Sequence, residues 1–347
     1  MMELSVVIPT CDRPDRVRAL LGDLGRQTLR PREILIVDAS DRKLDAGGVA
    51  ALGPGVVYLE GRRSVCAQRN LGIRRAGAPW IFLCDDDIEL PPDYLARLAA
   101  HAAAHPAAGA LSGLVLEKQA GGWSGRFPER SALVAAWKLL FGMGIWGPIA
   151  AGGPLGRAVA ARCRSRGNHL ARSGWPVITE MDGDCFRTPV YGLGAAVVRR
   201  DWLLASPFDE TLDSHGIGDN YGVAVGFPSE GIHVVTGAEA RHHRAPVNRL
   251  ADGVAQERRV LALDYFIHTR AALDRAGTGA LLWSLVGAGL LHAASRNPTA
   301  ARAMFRAFAR VASGRNPYRR GRGAEPLAPL AHPARPAAPE RPAAGAT

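Results

Sequence analysis

Residues 80–87 read WIFLCDDD, and this stretch decides the fold class. The apolar run over 80–84 lacks polar alternation, which is typical of a strand buried on both faces of a parallel sheet. Three carboxylates that repel one another follow directly, namely Asp85, Asp86 and Asp87. Ligands of open α/β sheets bind at the carboxyl ends of strands, so the triplet indicates a divalent-cation site for a phosphorylated ligand. A solvated acidic turn is the alternative that the triplet alone leaves open.

The first third of the chain alternates strand and helix signals. Short apolar runs predict strands, and amphipathic runs predict helices that begin near Pro14, Ser64 and Pro92. Strands spaced by helices imply parallel β-α-β units with right-handed crossovers, and therefore an α/β fold. The predicted strands of this part are Leu4–Ile8, Glu33–Val37, Val56–Leu59, Trp80–Cys84 and Gly109–Leu116.

The rest of the chain is less regular. Residues 118–188 are rich in Gly, Arg and Trp, and their pattern assigns no element. Strand signals return at Gly192–Arg199 and Ile232–Val235. Beyond residue 313 the Pro/Ala/Arg-rich sequence has too few large apolar residues to fold, which predicts a flexible tail. Three helices are predicted before it, at Val254–Ala276, Gly279–Ala294 and Pro298–Ser313.

Composition narrows the class of ligand. Of 347 residues, 47% are hydrophobic and 22% charged, which is globular rather than disordered. The net charge of +11 suits anionic ligands such as nucleotide diphosphates or acidic lipid headgroups. The sequence has neither zinc-finger spacing nor an RNA-binding aromatic signature, so a nucleic-acid partner is not expected.

The cysteines and the amino terminus predict a cytoplasmic location. The five cysteines are scattered and form no Cys-x-x-Cys pair, which favours a reducing compartment. The chain starts with a strand pattern rather than a basic and apolar signal. Two charge-free segments, 139–156 and 276–295, approach membrane-spanning length. The first contains prolines and glycines, and the second predicts either a buried core helix or peripheral contact with the inner face of the membrane.

Taken together, the motifs of the first 120 residues resemble family 2 glycosyltransferases of the GT-A fold. SVVIPTCDR over 5–13 is similar to the first strand and loop of that family, and EILIVD over 33–38 to its second strand, although Ala39 and Ser40 replace the usual Asp and Gly. AQRNLGI over 67–73 is similar to its Ala-Arg-Asn-x-Gly helix start, with Gln68 in the Ala place. Weaker matches extend to about residue 245, at Phe208-Asp209-Glu210, Asp219-Asn220 and His242-His243.

The resemblance implies a fold, a domain order and a reaction. The fold would be a mostly parallel sheet flanked by helices and followed by carboxyl-terminal helices. Residues 1–117 would bind the nucleotide-sugar donor, 118–250 the acceptor, 251–313 would form a helical extension and 314–347 the tail. The reaction would be metal-dependent, inverting transfer of a sugar from a nucleotide-diphosphate donor to an acceptor hydroxyl, with a lipid-linked or cell-surface glycan as the acceptor.

The resemblance also implies roles for single residues. Pro9, Thr10 and Asp38 would contact the nucleobase, Arg69 the diphosphate, and Asp85 the ribose or a metal-bound water, with Asp86 also on the donor side. Asp87 and His243 would bind Mg²⁺ or Mn²⁺, and His242 is almost as good a choice as His243. The family uses a carboxylate base from a Gly-Glu-Asp-like motif. The corresponding stretch 214–221 reads SHGIGDNY, so Asp219 is the expected base.

Two other functions compete with this one. The missing second acid beside Asp219 would suit a non-catalytic nucleotide-sugar-binding subunit. Nucleotidyl transfer onto a sugar phosphate would keep the fold but usually needs a Gly-rich phosphate loop after the first strand. The loop over 9–13 reads PTCDR and has no glycine, which disfavours that reaction.

Overall fold

A computed structural model describes residues 2–44, 46–53, 55–212, 214–228, 230–244 and 250–319. The strands within these residues form one large sheet and one small sheet. They are β1 (Leu4–Thr10), β2 (Glu33–Asp38), β3 (Val56–Glu60), β4 (Trp80–Cys84), β5 (Ile88–Glu89), β6 (Ala110–Gln119), β7 (Gly122–Ser124), β8 (Ile145–Trp146), β9 (His169–Leu170), β10 (Pro176–Ile178), β11 (Cys185–Thr188), β12 (Ala195–Arg199) and β13 (Ile232–His242).

The helices of the described residues connect these strands and complete the carboxyl-terminal part. They are α1 (Pro14–Gly25), α2 (Ala46–Ala50), α3 (Val65–Arg75), α4 (Tyr94–Ala104), α5 (Ala132–Leu140), α6 (Gly153–Arg164), α7 (Arg200–Ala205), α8 (Asp219–Ala224), α9 (Asp252–Thr269), α10 (Thr278–Ala294) and α11 (Pro298–Ala312). Local signals account for several starts. Pro14 stands in the first turn of α1, and the Ser64 hydroxyl caps α3 by accepting the Ala67 N–H.

The strand directions bring the carboxyl ends of several strands to one edge of the large sheet. Its main path is β11-β13-β6-β12-β4-β1-β2-β3, with β5 paired to β13 and β7 to β6. β1 to β4 run parallel, β12 runs antiparallel between β4 and β6, and β13 runs parallel to β6. The carboxyl ends of β1, β2, β4, β6 and β13 therefore meet. We call this the carboxylate edge, after Asp38, the triplet Asp85–Asp87 and Glu117.

The sheet is covered on both faces. On β1, Val6 and Ile8 face a layer that contains α1 and α4, whereas Val7 faces a layer with α3 and the helices α9 to α11. All three side chains are fully buried. Cover on both faces explains why the first strands lack polar alternation.

Gly72 lets α3 lie directly against β1. A Cβ at this position would stand 2.4 Å from Cγ1 of Val7. Any side chain would therefore push α3 away from the strand that ends at Thr10. The glycine of the Ala-Arg-Asn-x-Gly motif thus sets the distance between the helix and the site.

Several boundaries differ from those predicted. β13 continues to His242 rather than ending at Val235, because a bulge between Val235 and Glu239 interrupts the apolar pattern without ending the strand. The segment 118–188 contains strands of two to four residues, too short to show a period, together with α5 and α6.

The carboxyl-terminal part stays packed beyond residue 313. The fully buried Asn316 donates to the Leu261 carbonyl at 2.8 Å and to Asp264 Oδ2 at 2.7 Å. Tyr318 is also buried. The packed chain therefore passes the expected start of the tail at Gly314, and residues 320–347 lie outside the described residues. Among the helices described, none is long and apolar enough to cross a membrane.

Candidate active site

Asp86 and Asp87 are buried at the end of β4, and positively charged side chains lie close to both. Asp86 accepts hydrogen bonds from Thr10 Oγ1 and Arg13 Nη1, both at 2.8 Å. Burial raises the pKa of Asp86, and Arg13 and Thr10 oppose this rise. Asp87 Oδ1 lies 3.3 Å from His242 Nε2, and its Oδ2 lies 3.9 Å from Arg13. The repulsion within the triplet is thus offset by protein cations.

Asp85 is the most accessible carboxylate of the triplet, with 32% of its side chain exposed. Its N–H donates to the Gly194 carbonyl at 2.8 Å, which ties the end of β4 to the start of β12. A Cβ at Gly194 would stand only 2.3 Å from Asp85 Oδ2. The carboxylate accepts from Arg69 Nη2 at 2.5 Å. Position 194 therefore needs glycine to leave room for the Asp85 carboxylate.

Arg69 bridges two acids inside the protein. It extends from α3 with only 4% of its side chain exposed and pairs with both Asp85 and Asp219. Its guanidinium carbon lies 5.0 Å from the ring centre of Phe208. Burial alone would lower the pKa of Arg69, but the two carboxylates raise it overall. The residue is a permanently charged link between the end of β4 and α8.

Asp219 begins α8 and is almost completely buried. One oxygen pairs with Arg69, and the other accepts the Asn220 N–H at 2.6 Å. Burial raises the pKa of Asp219 to about 6, although Arg69 opposes this change. The carboxyl therefore ionises close to neutral pH, as a general base requires.

Asp38 ends β2 and is fixed by its neighbours. It accepts hydrogen bonds from Tyr58 Oη at 2.7 Å and from the Ser40 N–H at 2.7 Å. Burial, with the Asp38 contact adding to it, raises the pKa of Tyr58 to about 12. Lys43 donates to the Asp38 carbonyl at 2.8 Å. The carboxylate is thereby held at the carboxylate edge in one orientation.

Gln68 holds β1 and β2 together beside this site. Its Nε2 donates to the carbonyls of Thr10 and Val37, both at 2.7 Å. Pro9 pairs with Val37 inside the sheet, and the Thr10 hydroxyl is turned to Asp86. Both the hydroxyl and the carbonyl of Thr10 are therefore hydrogen-bonded within the protein, to Asp86 and Gln68.

The two adjacent histidines point to different acids. His242 Nε2 faces Asp87, and its Nδ1 lies 3.9 Å from Glu117 Oε1. Burial would lower the pKa of His242, but these two acids raise it to about 9. The imidazole of His243 instead contacts Glu89 at 2.7 Å, and only its backbone N–H reaches Asp87, at the carbonyl. The imidazole beside the Asp87 carboxylate is therefore that of His242 and not that of the preferred His243. Neighbouring residues of an extended chain point in opposite directions, which explains the difference.

Comparison with known proteins gives a family for this geometry. The family described as Glycosyl transferase family 2 matches residues 5–141, the part that supplies Thr10, Asp38, Arg69 and the triplet. Residues 5–141 are therefore similar to glycosyl transferase family 2. The resemblance expected from the sequence is confirmed for this part of the chain.

Relatives of the glycosyltransferase domain match over limited lengths. An uncharacterized glycosyltransferase of Bacillus subtilis, YwdF, is 36% identical over 102 residues, which cover 28% of this chain and 37% of that protein. A PGL/p-HBAD biosynthesis glycosyltransferase of Mycobacterium bovis is 29% identical over 130 residues, which cover 35% of this chain and 51% of that protein. The chain thus spans about half or less of the curated relatives it matches.

A solved structure confirms the fold over most of the chain. GalNAc-T7 with UDP, GalNAc and Mn²⁺ superimposes with a TM-score of 0.53 at 13% identity, covering 92% of this chain and 58% of that protein. At this identity the likeness shows the fold alone. The expected α/β GT-A fold is confirmed, with β12 and β11 as antiparallel strands of the large sheet.

The carboxylate edge offers ligand atoms that fit Mg²⁺ or Mn²⁺. Asp87 lies beside the imidazole of His242, and Asp85, paired with Arg69, belongs to the same triplet at the end of β4. Carboxylate oxygens with one imidazole suit a hard divalent cation. The raised pKa of His242, about 9, means that this imidazole would have to release a proton before it could bind the cation.

Sequence reasoning brought most of these residues to one place but missed three neighbours. Arg13 neutralises Asp86, Gln68 joins β1 to β2, and Glu117 lies 3.9 Å from the second ring nitrogen of His242. Gln68 had a signal, because it departs from the alanine of the family motif. Arg13 lies in the quoted opening motif, but the positive φ of Asp12, 56°, that turns the loop has no sequence signal.

Proposed function

We propose that this chain transfers a sugar from a nucleotide-diphosphate donor to an acceptor hydroxyl with the help of Mg²⁺ or Mn²⁺. One observation supports this most strongly. In a region similar to glycosyl transferase family 2, the carboxylate edge places His242 beside Asp87, and Asp85 against the buried pair of Arg69 and Asp219. The similar fold of GalNAc-T7, whose structure contains UDP, GalNAc and Mn²⁺, is in keeping with this reaction.

In this proposal the donor lies along the ends of β1, β2 and β4. Asp38 accepts a nucleobase N–H, since a carboxylate oxygen that accepts one hydrogen bond retains a second lone pair. Pro9 and Thr10 form the adjoining wall, and Asp85 and Asp86 lie toward the ribose and diphosphate. Arg69 contributes positive charge behind Asp85 rather than an exposed guanidinium.

We assign the cation to Asp87 and His242. His243 is held by Glu89, so it is a weaker choice than the sequence suggested. When bound, the cation supplies Lewis-acid stabilisation of the departing nucleoside diphosphate. His242 would have to lose its proton to act as a ligand, so cation binding at this position competes with protonation.

Asp219 is proposed as the base that takes the proton of the acceptor hydroxyl. Its pKa of about 6 leaves it ionised at neutral pH, and Arg69 fixes its orientation. Transfer with inversion follows from the family resemblance. Proton and anomeric carbon signals of the product, recorded by NMR against the donor, test the inversion, and a retained configuration would contradict it.

A lipid-linked or cell-surface glycan is proposed as the acceptor, reached at the inner face of the membrane. α5 and α10 are in contact, since Trp283 Nε1 donates to the Leu140 carbonyl at 3.1 Å. Leu133 is 75% exposed, Leu140 66% and Trp283 50%, so the pair presents a large apolar surface. Leu133→Ser with Leu140→Ser is expected to reduce sedimentation with anionic vesicles, with Leu204→Ser as the control for an exposed leucine elsewhere.

The central experiment measures donor binding and turnover together. A thermal-shift panel of nucleoside diphosphates, with and without Mn²⁺, identifies the base, because stabilisation grows with ligand concentration over Kd. Donor hydrolysis then measures chemistry. Asp87→Ala is expected to abolish the Mn²⁺-dependent part of both, whereas Asp201→Ala, an exposed acid of α7, retains both.

Three results decide between the functions considered. Full turnover in Asp87→Ala would contradict the metal role of Asp87. Donor binding without turnover on any acceptor would favour the non-catalytic binding subunit. Failure to bind any nucleoside diphosphate would contradict both proposals.

A further inference from the structure

A second cluster of ligating side chains lies at the opposite edge of the large sheet. It consists of His101 in the last turn of α4, Cys185 at the start of β11 and His233 near the start of β13. One ligand atom from each residue lies within 4.8 Å of the other two. We call these three residues the imidazole–thiol cluster. They come from three distant parts of the chain, so the fold itself assembles them.

Strand register explains why Cys185 and His233 share a face. Arg187 pairs with His233, and Cys185 pairs with Val235 two residues further along. Since side chains alternate with a period of two, Cys185 and His233 are diagonal neighbours on one face. His101, on a helix that packs against β13, meets them from above.

The imidazoles already stand at the spacing of two ligands of one ion. His101 Nε2 lies 3.1 Å from His233 Nδ1, with the rings edge to face at 65°. Two nitrogens bound to a tetrahedral zinc ion at about 2.05 Å are roughly 3.3 Å apart. An ion therefore needs only a small widening of this contact and a rotation of the Cys185 thiol.

The surroundings keep the imidazoles in the form that binds metals. Burial is the main cause that lowers the pKa of both His101 and His233; Arg187 adds to the change at His233, and Glu230 opposes it there. Neutral imidazole is the ligand form, so neither ring has to lose a proton near neutral pH. Burial raises the pKa of Cys185, hence its thiol would release a proton on binding.

The other nitrogen of His233 supports the same orientation. His233 Nε2 is buried without a hydrogen-bond partner and lies 3.8 Å from Glu230 Oε2. Histidines that bind metals commonly turn their second nitrogen toward a carboxylate. Glu230 is held in turn by Arg187 at 2.9 Å. Both ring nitrogens of His233 are thus accounted for by one bound ion and one neighbouring acid.

A cavity beside Cys185 offers an ion a path to the cluster. The cavity has a volume of about 790 Å³ and is lined by Cys185, Arg187 and Glu230, among others. Cys185 and His101 are half-buried, and only His233 is buried. An entry path is a requirement for any exchangeable metal site.

We propose that His101, Cys185 and His233 bind a zinc-class divalent cation, with water as the fourth ligand. Two nitrogens and a sulfur select a borderline-soft ion, whereas the carboxylate edge suits a hard one. The bound ion would join α4 to β11 and β13. This site is independent of the proposed glycosyl transfer, and either proposal can fail without the other.

Cobalt spectroscopy tests the site directly, because Co²⁺ replaces Zn²⁺ and absorbs in the near ultraviolet only when a thiolate binds it. The untagged, reduced full-length chain is freed of metal with a chelator and titrated with Co²⁺, then with Zn²⁺. We expect one thiolate band that saturates at one equivalent and is displaced by Zn²⁺. Cys185→Ser should remove the band, and His101→Gln should weaken Zn²⁺ binding at least tenfold.

Matched variants separate this site from other ligands. Cys11→Ser replaces another half-buried cysteine, near the carboxylate edge, and Asp87→Ala removes an acid there; both should leave the band unchanged. Circular dichroism checks that each variant is folded. In the unaltered chain, Zn²⁺ should also slow alkylation of Cys185, followed by mass spectrometry. Absence of the band, its survival in Cys185→Ser, or alkylation of Cys185 at an unchanged rate would each overturn the proposal.

Discussion

The two edges of the large sheet balance charge in opposite ways. At the carboxylate edge, acids with charged partners dominate, and Arg13, Arg69 and His242 neutralise them. At the other edge, the imidazole–thiol cluster has side chains kept neutral by burial. β13 joins the edges, with His233 near its start and His242 at its end. They pair with Leu111 and Glu117 of β6 and are therefore about 20 Å apart along the sheet. One scaffold therefore holds a charged polar site and a neutral one.

Removing the proposed base, Asp219, should have the largest effect on turnover. Asp219→Asn keeps the shape but not the proton acceptor, so turnover is expected to fall about 10²- to 10⁴-fold. Under the proposed mechanism the active form of the unaltered protein is the one with Asp219 deprotonated. The rate should therefore rise tenfold per pH unit up to about pH 6 and then level off. Asp252→Asn, an exposed acid in the first turn of α9, serves as the control for a pH–rate profile.

Removing the buried guanidinium of Arg69 should have the second-largest effect. Arg69→Ala leaves Asp85 and Asp219 without their shared partner, so we expect a stability loss of about 3–5 kcal/mol. Turnover should fall about 10²- to 10³-fold in the folded fraction. Urea unfolding and initial rates measure the two effects. Arg75→Ala, an exposed arginine on the same helix, should change stability by no more than about 0.5 kcal/mol.

A single methyl group tests how tightly the carboxylate edge is packed. Gly194→Ala places a Cβ against Asp85, which must turn away, and we expect a cost of about 1–3 kcal/mol. Turnover should fall roughly tenfold, because displacement of a positioning group weakens binding and orientation. Gly192→Ala is the matched control, since a Cβ there meets no atom within 4 Å. Equal effects at both positions would show that the Asp85 contact is unimportant.

The smallest expected effects test whether the carboxylate edge and the imidazole–thiol cluster function independently. His101→Gln should leave Mn²⁺-dependent turnover within twofold of the unaltered enzyme, and Asp87→Ala should leave Zn²⁺ stoichiometry unchanged. The sites are far enough apart for their mutational effects to be additive. Calorimetry measures the Zn²⁺ stoichiometry, and donor hydrolysis with Mn²⁺ measures turnover. If His101→Gln greatly lowered turnover, or Asp87→Ala changed the Zn²⁺ stoichiometry, the two sites would not be independent.

The sequence predicted the carboxylate edge well because its signals are local. Apolar runs end directly in Asp38 and in the triplet, and parallel strands bring such ends together. Which histidine faces Asp87 could not be predicted, since it depends on the length of β13 and the bulge at 235–239. The direction of Arg69 into the protein depends on α8, which contacts it from 150 residues away.

The imidazole–thiol cluster was beyond sequence reasoning for the same physical reason. Cys185 was interpreted as one of several scattered cysteines, and β11 lay in a segment with no assignable pattern. Only the register of β11 against β13 shows that the thiol and His233 meet.

The position of Arg69 would couple donor binding to the proton affinity of Asp219. A donor that drew the guanidinium toward its phosphates would weaken the contact with Asp219 and so make that carboxylate more basic. By reciprocity, protonation of Asp219 would alter donor affinity by the same factor. The shared arginine would thus raise the proton affinity of the base only once a donor is in place.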